Sequence, residues 1–140
     1  MRRRRLARIC ALQALYLMET NPMPAQEALD IVVGDFPPHD DIDEGVQEFA
    51  LQLVSDVAGY QDEIDKAIQS ASTNWRLNRM AAVDRNILRL GVYELFYCED
   101  IPKRVTLNEA IELGKTFGTE DSGAFINGVL DNISKARDKE

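Results

Sequence analysis

Ile42, Val46, Phe49, Leu53, Val57, Tyr60, Ile64 and Ile68 follow one another at steps of three and four residues. That spacing places them on one stripe over about seven turns of an α-helix. Gly59 lies inside the stripe and marks a bend or break in it. The same period recurs along the chain. Val83, Ile87, Leu90, Val92, Leu95 and Phe96 outline a further helix, closed by the Asp-Ile-Pro turn at 100–102. A shorter helix begins at Pro24 and Ala25 and ends near Gly34, and Phe-Pro-Pro-His-Asp-Asp at 36–41 reads as a turn. Thr106-Leu-Asn-Glu109 has the form of a capping box. The helix it would open runs through Ala110, Ile111, Leu113 and Phe117, with Gly118 placed to end it. Phe125, Val129, Leu130 and Ile133 form the stripe of the last helix. No segment alternates with period two long enough for a strand, so the expected fold is all-α, a compact domain of about six or seven helices.

With 140 residues the chain has the length of one domain able to bury a real core. The basic N-terminus resembles the start of a signal peptide, but Arg8, Gln13 and Glu19 interrupt the apolar stretch and no small-residue cleavage site follows. No apolar run approaches the roughly 20 residues of a membrane span. A cytoplasmic protein, without a membrane partner, is therefore expected. The two cysteines, Cys10 and Cys98, lie far apart in helix-patterned apolar segments, as buried reduced thiols would. His39 is the one histidine, which excludes a histidine-based triad or a multi-histidine zinc site. No phosphate loop or dinucleotide fingerprint appears. The sequence offers no positive sign of catalysis, and no metal or cofactor is expected.

The net charge of -8 is distributed in blocks. Residues 1–8 hold Arg2, Arg3, Arg4, Arg5 and Arg8 without an acid; residues 9–65 hold thirteen acids without Lys or Arg; the remainder balances, with eleven of each sign. A polyanion can approach the first block and the neutral last block, but the middle repels it. The first block poses a problem, because arginines at a helix start oppose the helix dipole and cost a few tenths of a kcal/mol each. At 100° per residue, Leu6, Cys10, Gln13, Ala14 and Leu17 share one face, while Arg4, Arg5 and Arg8 span the other. Leu12, Leu15 and Tyr16 continue that second arc. Such a helix is either central in its bundle or covered on one side by a partner.

Arg-Arg-Arg-Leu-Ala-Arg followed by Ala-Leu-Gln-Ala-Leu-Tyr at 11–16 resembles the NusB family of bacterial transcription antitermination factors. The resemblance extends over Trp75, Val83-Asp-Arg-Asn-Ile-Leu-Arg89, Tyr93-Glu94 and Ile101-Pro102. It continues through Asn108-Glu-Ala-Ile-Glu-Leu-Gly-Lys115-Thr-Phe and Phe125-Ile-Asn-Gly-Val-Leu-Asp131. It implies two small helical bundles packed together, with approximate halves 1–72 and 73–140. It also implies a non-enzymatic factor that binds the single-stranded boxA RNA of ribosomal-RNA leaders together with ribosomal protein NusE. Such a factor acts with the transcription elongation complex and supports read-through by RNA polymerase. The oligomeric state is left open, a homodimer included. A competing reading is a structural helical scaffold that self-associates through the apolar arc of the first helix without binding RNA.

By position, the resemblance assigns RNA contacts to Arg4, Arg5 and Arg8, and to Asp121, Ser122 and Phe125 with Asn127 and Gly128 nearby. Tyr16 and Asp84 fall on the NusE-facing surface, and Leu12 and Leu15 join Tyr16 on its arc. Gly123 and Ala124 stand where family members often carry a basic or polar pair, which thins the charge at that edge. Physical reasoning adds that arginines at an exposed helix start suit a phosphate, since both they and the N–H groups attract the same anion. Asp121 or Ser122 is placed to cap the last helix. Phe125 either packs in the core or stacks on an unpaired base. Gly128 lies mid-helix, which implies close approach of another helix or of RNA. Trp75 is read as an aromatic plug between the halves, with base stacking as the other role. Asp84 and Glu94, among Arg79, Arg85 and Arg89, are read as solvated ion pairs.

Overall fold

The computed structural model describes residues 2–37 and 42–138. His39 and most of the 36–41 turn lie outside the described residues. Among those described there are seven α-helices, one short 3-10 turn and no strand. Contacts divide the chain into two compact units, Met1–Gly59 and Tyr60–Glu140. The division falls at Gly59, earlier than the expected 72/73, because the long apolar stripe is broken there. Tyr60 has φ -106° and ψ 17°, between two helical runs.

The first unit contains α1 (Arg2–Thr20), α2 (Ala25–Gly34) and α3 (Glu44–Gly59). Helix α1 packs on both α2 and α3, and these pack on each other. A helix with two neighbours needs apolar residues round most of its circumference, and α1 has them. Ala7, Cys10, Ala11 and Ala14 are fully buried, and Leu12 and Leu15 are 3% and 6% exposed. Leu12 and Leu15 are therefore core residues rather than an open partner surface; of the three that continue the arginine arc, Tyr16, 46% exposed, is the one that faces solvent. Burial pushes the Cys10 thiol up to about 11. Each fully buried leucine, such as Leu29 or Leu53, contributes roughly 1.5–3 kcal/mol.

The second unit contains α4 (Gln61–Ala71), the 3-10 turn Leu77–Arg79, α5 (Ala82–Tyr97), α6 (Lys103–Phe117) and α7 (Ser122–Asp138). Helix α5 touches α4, α6 and α7 and is buried without interruption from Asn86 to Glu94. Three of its charged residues, Arg85, Arg89 and Glu94, are held by specific partners. Arg89 forms a two-pronged pair with Asp65, Nε to Oδ1 at 2.8 Å and Nη2 to Oδ2 at 3.0 Å, and also donates to Asn86 Oδ1. Glu94 accepts a hydrogen bond of 2.9 Å from the Thr106 hydroxyl. Arg85 donates to the carbonyls of Leu77 and Met80. Glu94, Arg85 and Arg89 are thus internal struts, not the solvated ion pairs expected. Buried charges persist only when paired in this way.

Helix α6 starts three residues before the expected capping box. Pro102 precedes Lys103 with φ -59°, and its carbonyl accepts the Val105 and Thr106 amides. Thr106 is consequently inside the helix, and its hydroxyl is spent on Glu94. Gly118 does end α6, its N–H bonded to the Gly114 carbonyl. A Cβ at Gly118 would collide with the Ser122 side chain, so this turn requires glycine for space. Gly91 serves α5 similarly: a Cβ there would lie 2.7 Å from Leu130 Cδ1 of α7.

Candidate nucleic-acid interface

In the first unit the basic block meets an aromatic ring. The Arg4 guanidinium lies 4.2 Å from the centroid of Phe49 on α3, and that of Arg8 lies 6.0 Å from it. Stacking uses the flat face of a guanidinium and leaves its in-plane N–H donors available. Arg3 donates to Asp43 Oδ1 at 2.7 Å, and the same oxygen accepts the Val46 amide at the start of α3. The Val46 amide foremost, and then Arg3, hold the Asp43 carboxyl below the usual carboxylate range. A cavity of about 250 Å³ lies among Arg3, Arg4, Gly45, Val46 and Phe49. Arg4 and Arg5 are exposed, whereas Arg8 is only 3% exposed. Arg8 sits two turns into a helix that is covered on most sides, so it supports this surface from within. The sequence pattern marks Phe49 only as a core stripe residue. Its role under Arg4 has no sequence signal, because the two are brought together by the packing of α1 on α3.

In the second unit a pocket of about 310 Å³ gathers residues from three segments: Trp75, Arg79, Met80, Ala81 and Asp84 on one side, and Thr119, Asp121, Ser122 and Phe125 on the other. Trp75 is 55% exposed, so it is not a buried plug. Its segment is fixed by Gln69, whose amide donates to the Trp75 carbonyl at 3.0 Å and accepts the Leu77 N–H at 2.9 Å. Arg85 secures the following turn through its two carbonyl bonds. On the other side, the Asp121 carbonyl accepts the Phe125 amide, which places Asp121 at the cap of α7. The Ser122 hydroxyl accepts the Thr119 N–H at 2.9 Å, and Ser122 is 1% exposed, so it shapes the turn instead of facing solvent. Phe125 is half-buried. Asp84 lies in this same pocket, and its Oδ1 is buried without a hydrogen-bond partner.

Asn127 and Gly128 lie further along α7, both exposed, and nothing stands within 4 Å of where a Gly128 Cβ would be. Within the second unit no described helix packs against this position, so packing inside the unit does not explain the glycine. Gly123 is buried, its missing side chain facing Ile111 and the Lys115 stem on α6, while Ala124 is exposed. Among the described residues no three His, Cys, Asp or Glu side chains form a metal-binding group. No described helix is long and apolar enough to cross a membrane.

An all-helical chain with a stacked-arginine surface and an aromatic pocket has the equipment of a binding protein. Comparison with known proteins gives the family. The profile of the NusB family matches residues 5–135. The transcription antitermination protein NusB of Desulfatibacillum aliphaticivorans is 47% identical over 140 residues, covering 100% of this chain and 95% of that relative. A structure of T. maritima NusB superposes with a TM-score of 0.83 at 37% identity, covering 94% of this chain and 90% of that one. A crystal structure of antitermination factors NusB and NusE in complex with dsRNA superposes with a TM-score of 0.84 at 30% identity, covering 97% and 98%. The chain belongs to the NusB family of bacterial transcription antitermination proteins, which are not enzymes.

Proposed function

We propose that this chain is a cytoplasmic antitermination factor that binds single-stranded boxA-type RNA of ribosomal-RNA leaders together with ribosomal protein NusE. Through that assembly it acts on the transcription elongation complex to support read-through. The observation that carries the reading is the Arg4–Phe49 stack beside exposed Arg5 at the open end of α1. Cationic side chains beside the start of a helix suit a phosphate backbone, because the helix dipole favours the same anion. The solved relative that contains NusE and RNA supports both partners. Tyr16, exposed on α1 below the arginines, is the NusE contact in this reading. The self-associating scaffold loses its apolar arc, because Leu12 and Leu15 are buried.

Titrating a short boxA-type RNA into the protein, with and without saturating NusE, tests the proposal, and sedimentation reports whether the protein is a monomer or a homodimer. Tighter RNA binding with NusE, and a coupling of about 1–3 kcal/mol equal in both directions, is the expected result. Tyr16→Ala should weaken NusE binding and affect RNA chiefly when NusE is present. Absence of RNA binding in both arms would overturn the proposal.

A further inference from the structure

We propose that the Asp43 carboxylate competes with RNA phosphate for Arg3: it clamps that arginine on the start of α3 in the free protein, and a phosphate entering the cavity beside Arg4 draws it off. The inference rests on the RNA-binding proposal and adds to it a residue that sets the affinity from within the protein. Arg3 Nη2 donates to Asp43 Oδ1 at 2.7 Å. The two side chains remain 63% and 52% exposed, so the pair is open to an ion from solution and contributes little to the fold. The Arg89–Asp65 pair, with side chains 9% and 21% exposed, shows how a structural pair of this chain is shielded instead.

Asp43 is fixed independently of Arg3. It precedes Glu44, the first residue of α3, and its Oδ1 accepts the Val46 amide at 3.0 Å. That is the bond of an N-cap residue, so the carboxylate stays in place when the arginine leaves. It takes the two kinds of partner that a phosphate takes at a helix start, a backbone N–H and a guanidinium. The Arg3 guanidinium lies across the first turn of α3, where a Cβ at Gly45 would stand 2.6 Å from Nη2; the glycine leaves it room. Beside it is the cavity of about 250 Å³, whose lining holds Arg3 and Arg4 and no acid. A phosphate there meets two guanidinium groups, and the pair of cations favours it over the carboxylate. Exchange has a cost, because Asp43 is left without its cation near the incoming anion. A built-in repulsion of this kind lowers affinity and raises selectivity. A polyanion that touches exposed Arg5 without filling the cavity leaves the clamp shut.

The probe is a short boxA-type single-stranded RNA, titrated into the full chain in the presence of saturating NusE. Asp43→Asn removes the charge and keeps the cap, since Asn caps a helix as well as Asp does. Its melting temperature should hold within about 2 °C, while RNA affinity rises about threefold to fivefold, the range an exposed ion pair can supply. In an Arg3→Ala background the same substitution should lose most of that gain. Glu44→Gln removes an acid of the same turn that does not hold Arg3, and should leave affinity within about twofold of the wild type. An equal gain from Asp43→Asn with and without Arg3, or an equal gain from Glu44→Gln, reduces the effect to bulk repulsion and overturns the clamp. Unchanged or weaker RNA binding by Asp43→Asn overturns it while leaving the RNA-binding proposal intact. No RNA binding by the wild type removes both this inference and the proposed function.

Discussion

The arginines at the start of α1 and those of α5 carry the same charge on the same kind of helix, yet the chain uses them in opposite ways. Arg4 and Arg5 stand at the start of α1 and are exposed, Arg4 with its guanidinium over the Phe49 ring at 4.2 Å. Arg85 and Arg89 are folded inward, onto two carbonyls and onto Asp65 and Asn86. The difference lies in what surrounds each helix. Helix α5 is the central helix of its unit, so a guanidinium folded into that unit needs fixed partners, as Arg85 and Arg89 have. The first turn of α1 lies beyond the covered part of its helix, so Arg4 and Arg5 there stay exposed to solvent. Charge alone does not mark a binding arginine; its position relative to the packed length of the helix does.

The sharpest way to break the contrast is Arg89→Ala. It removes one side of a two-pronged pair whose arginine side chain is 9% exposed and whose aspartate is 21% exposed. Loss of one partner of a buried pair is worth about 3–5 kcal/mol, and the partial exposure of Asp65 favours the lower end, about 3 kcal/mol. Urea unfolding should show this as a lower midpoint with an unchanged slope. If Arg89→Ala is no less stable than Arg4→Ala, the division into struts and contacts fails.

Thr106→Val comes next, with an expected loss of about 1–3 kcal/mol, because it leaves the buried Glu94 carboxyl without its hydroxyl donor. A double-mutant cycle identifies the partner. Thr106 should couple to Glu94→Gln and not to Glu109→Gln, whereas a capping box would give the reverse.

On the exposed side, Arg4→Ala with Arg5→Ala should lower RNA affinity and flatten its salt dependence. The slope should fall by about 0.7 for each phosphate that is no longer neutralised, while stability stays within about 0.5 kcal/mol. Adding Arg8→Ala should then lower the melting temperature, since that residue is buried. An unchanged salt slope in the double variant would mean that the stacked arginines do not meet phosphate.

The positions where sequence and structure part company share a cause. The helices are legible because each buries a face, and a buried face repeats every three or four residues. The ends of α2, the break at Gly59 and the stop at Gly118 are legible because proline and glycine act locally. Phe49 beneath Arg4, and Trp75 beside Phe125, depend on residues distant in sequence, and no spacing records such a meeting. Thr106 misleads for a related reason: its capping pattern with Glu109 is complete, but Pro102 starts the helix earlier and Glu94 from another helix claims the hydroxyl. Of the RNA residues assigned by resemblance, Asp121, Ser122 and Phe125 line a pocket, but the Ser122 hydroxyl accepts the Thr119 amide.

The smallest expected effect is also the most diagnostic for α7. Gly128 lies inside α7, exposed, with nothing within 4 Å of an added Cβ. Glycine at such a site is less favourable than alanine by about 1 kcal/mol. Gly128→Ala should therefore raise stability by up to that amount, read as a higher unfolding midpoint in urea. Gly91→Ala, which meets Leu130 at 2.7 Å inside the unit, should lower it. Both glycines sit in ordinary helix, one exposed and one buried, and neither has a positive φ, so space alone separates their signs. If RNA passes close to this turn of α7, the added methyl meets it. The more stable Gly128→Ala protein should bind boxA-type RNA more weakly than the wild type, a gain in folding coupled to a loss in binding. Equal RNA affinity in the two proteins would show that the RNA backbone does not approach α7 at this turn, and would confine the contact on that helix to its first turn around Asp121 and Phe125.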